Sequence, residues 1–332
     1  MSGARSSSAT ATTGTVDPAP PYRGRFAPTP SGELHFGSLV AALASYLEAR
    51  MRGGEWLVRI EDLDPPRERP GAADQILRTL ERLGLRWDGP VVRQSGRLPL
   101  YREALDALGR DGRLRSCSCS RAALASLAVN LERAAGEELF HPPECVTAPG
   151  SAGGPRAWRF RAPDRRVEWM DRAQGLQDSN VARTHGDFVL RRRDGLFAYQ
   201  LAVVVDDAEQ GIVDVVRGAD LLASTPRQIL LQEALGLPGT TYMHIPLAVR
   251  ESGLKLSKSE DAPALAAAAP GEQVFAALEF LGQAPPGELR RAASAEVLAW
   301  AVAHWQPERL AGRTARVVPD VQGYATRQER DR

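Results

Sequence analysis

Apolar positions in the first third of the chain follow two different periods. Residues 24–27 and 56–60 are short runs rich in large apolar side chains and bounded by turn-forming residues, and they read as buried strands. Residues 39–52, 72–83 and 98–110 space their apolar side chains three and four apart, which predicts amphipathic helices. Gly53-Gly54 and Gly84 stand where helix C-caps belong. Strand–helix alternation of this kind predicts an α/β fold, a Rossmann-like doubly wound parallel sheet with helices on both faces. Such sheets take nucleotides at the carboxyl ends of their strands, where His35 and Glu61 fall.

The pattern then breaks. From residue 113 to about 194 glycine and proline become dense, cysteines appear, and short strands such as 157–161 replace long helices. This stretch reads as a subdomain inserted between a first half at 22–112 and a second half at 195–260. In the second half, residues 198–205 and 212–216 read as buried strands, with Asp206-Asp207 at a strand end, and 226–235 as a helix closed by Gly236. Residues 261–307 form a short C-terminal helical region with helices at 271–281 and 293–304; the alanine-rich run 264–269 is a helix or linker. Residues 1–21, rich in Ser, Thr, Ala and Pro, read as a disordered tail, and 308–332 as a flexible one. No internal repeat is visible.

Composition narrows the class. The 332 residues carry 42 basic and 41 acidic side chains, a net charge of +1, which excludes a globally basic nucleic-acid coat. A local basic face is compatible with that balance: Arg156, Arg159, Arg161, Arg165 and Arg166 cluster, and Arg191 to Arg193 are consecutive. Solvated arginines are the plainer reading of either cluster. Three cysteines are too few for a disulfide framework and point to a reducing compartment. No apolar stretch reaches the ~18 residues of a membrane span. The N-terminus has no hydrophobic core of a secretory signal, so the expected location is the cytoplasm.

The candidate chemistry sits in two segments. Arg25-Phe-Ala-Pro-Thr-Pro-Ser-Gly-Glu-Leu-His-Phe-Gly-Ser38 runs from a strand through a proline-rich turn to a helix start. An imidazole, a glycine and a hydroxyl at a helix N-terminus suit a polyphosphate, because backbone N–H groups and the positive dipole end face the anion. Downstream, Lys255-Leu-Ser-Lys258-Ser offers a second cationic, hydroxyl-rich loop. Between them, Arg59-Ile-Glu-Asp-Leu-Asp-Pro-Pro-Arg67 follows at a helix-plus-strand distance, its Pro65-Pro66 pair predicting an extended exit from the strand that carries Glu61 and Asp62. A third constellation is Cys117-Ser-Cys119 followed, after 21 residues, by His141-Pro-Pro-Glu-Cys145. Four soft ligands on two turns could close a tetrahedral zinc site with no open position, hence a structural one. Free cysteines beside a surface histidine are the alternative. His185, His244 and His304 attract no role.

The paired segments resemble the HIGH and KMSKS signatures of class I aminoacyl-tRNA synthetases, and the runs beginning at Arg25 and Arg59 resemble the glutamyl branch. The resemblance covers about residues 23–300. It implies attack of the glutamate α-carboxylate on the α-phosphorus of ATP, with Mg2+, giving glutamyl-adenylate and pyrophosphate. It assigns phosphate binding to His35, Gly37, Ser38 and Lys258, with Lys255 in support, and makes His35, Ser38, Lys255 and Lys258 the catalytic set. It assigns L-glutamate to Arg25, Phe26, Ala27, Pro28, Thr29, Glu61, Tyr199 and Arg217. Within that set, Arg25 and Arg217 take the side-chain carboxylate, Glu61 the ammonium and Tyr199 the pocket wall. The family often has Tyr-x-x-x-Cys where this chain has His141-x-x-x-Cys145, and imidazole is the better zinc ligand.

Glutamyl-tRNA synthetases continue into a helical module that reads the anticodon, whereas only a short region follows the second signature here. With Val204-Val-Asp-Asp207 and Val216-Arg-Gly-Ala-Asp-Leu221, that brevity resembles the glutamyl-queuosine tRNA(Asp) synthetases. The implied partner is the tRNA(Asp) anticodon stem-loop carrying queuosine, whose cyclopentene-diol accepts the glutamate. A minimal glutamyl-tRNA synthetase, a glutamate ligase for a small amine or carrier, and a non-catalytic RNA-binding paralogue remain open at this point.

Overall fold

A computed structural model describes residues 21–119, 121–125, 140–142, 155–249 and 268–318. The chain begins with strand β1 (Arg23–Phe26), helix α1 (Phe36–Met51) and strand β2 (Glu55–Ile60). Helix α2 (Ala72–Leu83) follows, then the two-residue strand β3 (Val92–Arg93) and helix α3 (Leu98–Arg110). Gly84 ends α2 with φ +80°, a left-handed cap that a Cβ would strain. The Pro65-Pro66 pair differs from its expected extended path: Pro65–Arg67 is a single 3₁₀ turn. The fixed proline φ suits the first positions of such a turn as well as it suits an extended chain.

The middle of the chain comprises β4 (Leu114–Cys117), the short helix α4 (Arg121–Ala125), β5 (Ala157–Phe160), β6 (Val167–Asp171) and β7 (Gly175–Ser179). Helix α5 (Val181–Thr184) and β8 (Phe188–Arg191) follow, leading into α6 (Tyr199–Glu209), β9 (Asp214–Gly218), α7 (Thr225–Leu235), β10 (Thr241–Ile245) and β11 (Leu247–Val249). Helices α8 (Pro270–Phe280) and α9 (Ser294–His304) and strand β12 (Ala315–Val317) complete the described elements.

β1 pairs in parallel with β2, β2 with β3, and β9 with β10. The Val213 N–H donates to Arg23 O at 3.0 Å and ties β9 beside β1. The spatial order is therefore β3-β2-β1-β9-β10, reversing between β1 and β9, the topological switch point at which such sheets open a crevice. α1 packs against β1, β2 and β9 on one side and α8 and α9 on the other. Its Ala42, Ala44, Ser45 and Ala49 permit that close approach, and all four are buried.

Three features depart from the sequence expectation. Residues 198–205 do not form a strand; they begin helix α6, which is buried along most of its length against α3 and α7. An unbroken run such as Leu201-Ala-Val-Val-Val205 suits an enclosed helix as well as a strand, because periodicity is silent when every side is buried. The expected subdomain at 113–194 is also divided. β4, β5 and β8 make a separate antiparallel sheet, but the β6–β7 hairpin joins the main sheet by pairing Asp171 of β6 with Tyr242 of β10. Finally, part of the stretch read as a tail is structured: β12 pairs in parallel with β11. The edge of a distant strand supplies those hydrogen bonds, so no local periodicity announces them.

Candidate active site

The carboxyl ends of β1, β2, β9 and β10 open into a cleft of about 730 Å³. On one wall, β1 ends at Arg25 and Phe26 and continues through Ala27, Pro28 and Thr29, and Glu61 immediately follows β2. His35, Gly37 and Ser38 at the start of α1 line the adjoining wall. Tyr199 at the start of α6 and Arg217 near the end of β9 line the opposite side. Lys255 and Lys258 lie outside the described residues, as does Cys145.

His35 is the N-cap of α1. Its Nδ1 accepts from the Ser38 N–H at 3.3 Å, and its Nε2 lies 3.2 Å from Ser38 Oγ. A Cβ at position 37 would stand 3.2 Å from His35 Cε1, so glycine lets the imidazole lie over the first turn. The result is a helix N-terminus whose amides, hydroxyl and imidazole face one cleft, an arrangement suited to phosphate oxygens.

The amino-acid side of the cleft rests on a buried charge network. Arg25 grips Asp207 with two bonds, Nε to Oδ1 at 3.0 Å and Nη2 to Oδ2 at 3.2 Å. Arg59, fully enclosed in β2, reaches Asp207 at 2.8 Å, Glu61 at 3.4 Å and Asp206 at 3.7 Å, and donates to Gln210 Oε1 at 2.7 Å. Asp206 also accepts from Arg97 at 2.6 Å, Gln94 at 2.7 Å and the Tyr101 hydroxyl at 2.8 Å. Burial pushes the Glu61 carboxyl up to about 7, although Arg59 and Arg25 pull it down. Burial also pushes Asp207 up, but its two arginines outweigh that and hold it below the ordinary carboxylate range. Asp207 and Arg59 carried no assignment in the sequence. The signal available was a pair of aspartates and a lone arginine set inside apolar runs, where only paired charge is stable.

Arg217 makes five hydrogen bonds, the longest from Nη2 to the Leu221 carbonyl at 3.4 Å. Its Nε donates to His244 Nε2 at 3.0 Å, Nη1 to Gln228 Oε1 at 2.8 Å and the Tyr199 hydroxyl at 3.2 Å, and Nη2 to Thr225 Oγ1 at 2.9 Å. His244, given no role from sequence, is thus buried directly behind a cleft residue. His185 lines the cleft, whereas His304 is an exposed helix-end residue stacked on Trp300.

The arginine clusters are largely engaged within the protein. Arg165 pairs with Glu233 and Arg166 with Asp178. Arg192 reaches Asp194 at 2.6 Å and Asp64 at 3.1 Å. Arg159, Arg191 and Arg193 donate to the carbonyls of Asp187, Gly195 and Pro155. These contacts give the clusters a structural role of their own.

Cys117, Cys119 and His141 converge in the middle segment, their ligand atoms all within 4.8 Å of one another and all three residues buried. Cys117 Sγ lies 3.1 Å from His141 Nε2 and accepts from the Cys119 N–H at 3.3 Å. Burial, with the nearby Arg159 charge, lowers His141 to about 4, so its imidazole is neutral at neutral pH, the form that binds metal. Two thiols and a neutral imidazole fit zinc.

Residues 22–276 match the family described as tRNA synthetases class I (E and Q), catalytic domain. The glutamyl-Q tRNA(Asp) synthetase of Pseudomonas aeruginosa is 54% identical over 289 residues, 87% of this chain and 95% of the relative. That of Dechloromonas aromatica is 55% identical over 285 residues, 86% of this chain and 94% of the relative. The chain belongs to the glutamyl-Q tRNA(Asp) synthetase family of class I tRNA synthetases. Its fold is similar to a glutamate-tRNA synthetase from Elizabethkingia anophelis, with a TM-score of 0.73 at 25% identity, covering 89% of this chain and 68% of that one. It is also similar to a glutamate tRNA ligase from Elizabethkingia meningosepticum in complex with its amino acid, with a TM-score of 0.72 at 24% identity, covering 90% and 67%. The cleft of this chain occupies the switch point of its parallel sheet, the position at which doubly wound sheets take nucleotides.

Proposed function

We propose that this chain activates L-glutamate with ATP and transfers it to the queuosine of the tRNA(Asp) anticodon. The observation that carries the reading is the single cleft in which the phosphate-suited start of α1 faces Glu61, Tyr199 and Arg217. A glutamate α-carboxylate oxygen attacks the α-phosphorus of ATP, a new P–O bond forms, and the bond to the β-phosphate breaks to release pyrophosphate. A hydroxyl of the queuosine diol then attacks the adenylate carbonyl carbon; AMP leaves, and the hydroxyl proton passes to solvent.

The work of the protein in both steps is positioning and charge stabilisation. His35, Gly37 and Ser38 hold the phosphates from the α1 side, Mg2+ would accompany them as counter-ion, and Lys258 with Lys255 in the second signature segment supplies further positive charge to them. Glu61 takes the substrate ammonium. Arg217 takes the side-chain carboxylate in place of its contacts to the Tyr199 hydroxyl at 3.2 Å and the Leu221 carbonyl at 3.4 Å, with Tyr199 as wall and the 25–29 segment as floor. Arg25, expected with Arg217 to take that carboxylate, is gripped twice by Asp207, so its proposed share in binding it is the positive potential it brings from that position. A guanidinium matches a carboxylate with two bonds and leaves one unmatched against glutamine, so glutamate is preferred. The compartment that fits is the cytoplasm, where ATP and tRNA meet; no described helix is long and apolar enough to cross a membrane.

Transfer is tested with labelled glutamate and tRNA(Asp) with and without queuosine. Label is expected on the queuosine-bearing tRNA, protecting the diol from periodate. Label on the 3′-terminal adenosine, or equal charging of unmodified tRNA, would instead identify a glutamyl-tRNA synthetase.

Cys117, Cys119 and His141, with Cys145 as the fourth donor expected from the sequence, would hold one structural zinc ion that braces the middle segment. Elemental analysis is expected to return one zinc per chain, and chelation to lower the melting temperature. Metal-free protein with unchanged melting would reject the site.

A further inference from the structure

Three neighbouring strands, β6, β10 and β9, each contribute one charged or titratable side chain to a line running out of the sheet and into the cleft. Asp171 ends β6, His244 lies in β10, and Arg217 lies in β9, directly beside His244 in the parallel register. His244 Nδ1 stands 2.5 Å from Asp171 Oδ2, and its Nε2 accepts from Arg217 Nε at 3.0 Å. Asp171 and His244 are each no more than 1% exposed and neither lines the cleft itself.

The protonation pattern follows from the contacts. Asp171 Oδ1 accepts three backbone N–H groups, from Gln174 at 2.9 Å, Ala173 at 3.0 Å and His244 at 3.2 Å. Those bonds, with the one from His244, outweigh the effect of burial and hold the carboxyl below its ordinary value. An ionised Asp171 only accepts, so His244 Nδ1 carries the hydrogen. Burial and the Arg217 charge keep the ring neutral, and Nε2 therefore presents a lone pair. That lone pair is the acceptor Arg217 requires; the Thr225 hydroxyl, 3.3 Å away, donates to the same nitrogen while accepting from Arg217 Nη2.

We propose that Asp171 and His244 are positioning residues for glutamate selection, fixing through one imidazole tautomer the orientation in which Arg217 meets the substrate carboxylate. The inference rests on the reading of Arg217 as the carboxylate partner. Neither residue touches substrate; their effect reaches it only through the guanidinium.

Asp171→Asn is the discriminating variant. Three backbone donors hold the amide oxygen at the Oδ1 position, so the amide NH2 faces His244 Nδ1 and donates to it. The ring must then carry its hydrogen on Nε2, where it confronts the Arg217 Nε–H donor to donor. His244→Phe removes the acceptor outright, whereas His244→Gln returns an amide oxygen toward Arg217.

In glutamate-dependent ATP–pyrophosphate exchange, Asp171→Asn and His244→Phe are expected to raise the glutamate KM by ~10- to 100-fold, by analogy with the range for losing the partner that orients a metal-binding histidine. The preference for glutamate over glutamine should fall with it, while kcat and the ATP KM stay near wild type. His244→Gln is expected to recover most of the loss. A wild-type glutamate KM in folded Asp171→Asn overturns the proposal, as does an equal rise in the ATP KM. If Asp171→Asn fails to fold, the two His244 variants decide, and equal glutamate KM values for them overturn it. Arg217→Ala separates the two levels: if it leaves the glutamate KM unchanged, the underlying reading of Arg217 fails. If it raises KM while the Asp171 and His244 variants do not, only the relay fails.

Discussion

His35→Ala is expected to lower the kcat of glutamate-dependent pyrophosphate exchange by about 10²–10³-fold, the range for removing one donor aimed at developing charge. The glutamate KM should change little, because the imidazole faces the phosphate side of the cleft and the charge it meets is largest in the transition state. The same substitution removes the α1 cap, since Nδ1 accepts the Ser38 N–H, and a lost N-cap costs about 0.5–2 kcal/mol of stability. His35→Asn separates the two roles. Asparagine is a good N-cap but places no ring nitrogen over the first turn, so it should recover the melting temperature and leave the rate low. Recovery of the rate as well would reduce His35 to a structural cap. Lys258→Ala, in the second signature segment, is expected to lose rate in the same way, with KM for glutamate again preserved.

Arg59→Met should destabilise the protein by about 3–5 kcal/mol, the cost of removing one partner from a buried ionic cluster. Methionine keeps much of the volume, so the loss is chiefly one of charge. Asp207 would retain Arg25 and Asp206 would retain Arg97, which argues for the lower end of that range. Glu61 fares worst, because Arg59 is the strongest influence opposing its burial. A carboxyl whose folded pKa stands near 7, above its unfolded value, binds its proton more tightly in the folded state. Its contribution to stability is therefore present at low pH and lost as pH rises through 7. Removing Arg59 widens that loss, so the destabilisation read from urea unfolding should be larger at pH 8 than at pH 6. A difference from wild type under about 1 kcal/mol at both pH values would mean the cluster does not depend on Arg59.

The first half of the sheet and its helices were legible because their signals are local. Helices α2 and α3 carry apolar side chains on one face only, and Gly84 and Gly236 mark helix ends with a backbone conformation that glycine adopts freely. The run from Arg25 to Ser38 was legible for the same reason: strand, turn and helix start follow one another within fourteen residues. Helix α6 was not legible, because burial on every side erases periodicity. Its misreading carried Asp206 and Asp207 to a strand end, away from the arginines they hold. Strand β12 escaped because its partner edge, β11, is far away in the sequence.

The amino-acid sequence by itself determined the class of sheet, the helix start that suits phosphate, the carboxylate that follows β2 and the Cys/His constellation. Each of these is written in neighbouring residues, where propensity and spacing act directly. Tertiary structure alone decided which charges stand behind those groups. Arg25 meets Asp207 across 182 positions and Asp171 meets His244 across 73, through strand register and helix packing that no local pattern encodes. A buried charge or histidine is stable only with a partner, so the sequence announces that such partners exist. Only the packed sheet says which residues they are, and hence which way Arg217 faces.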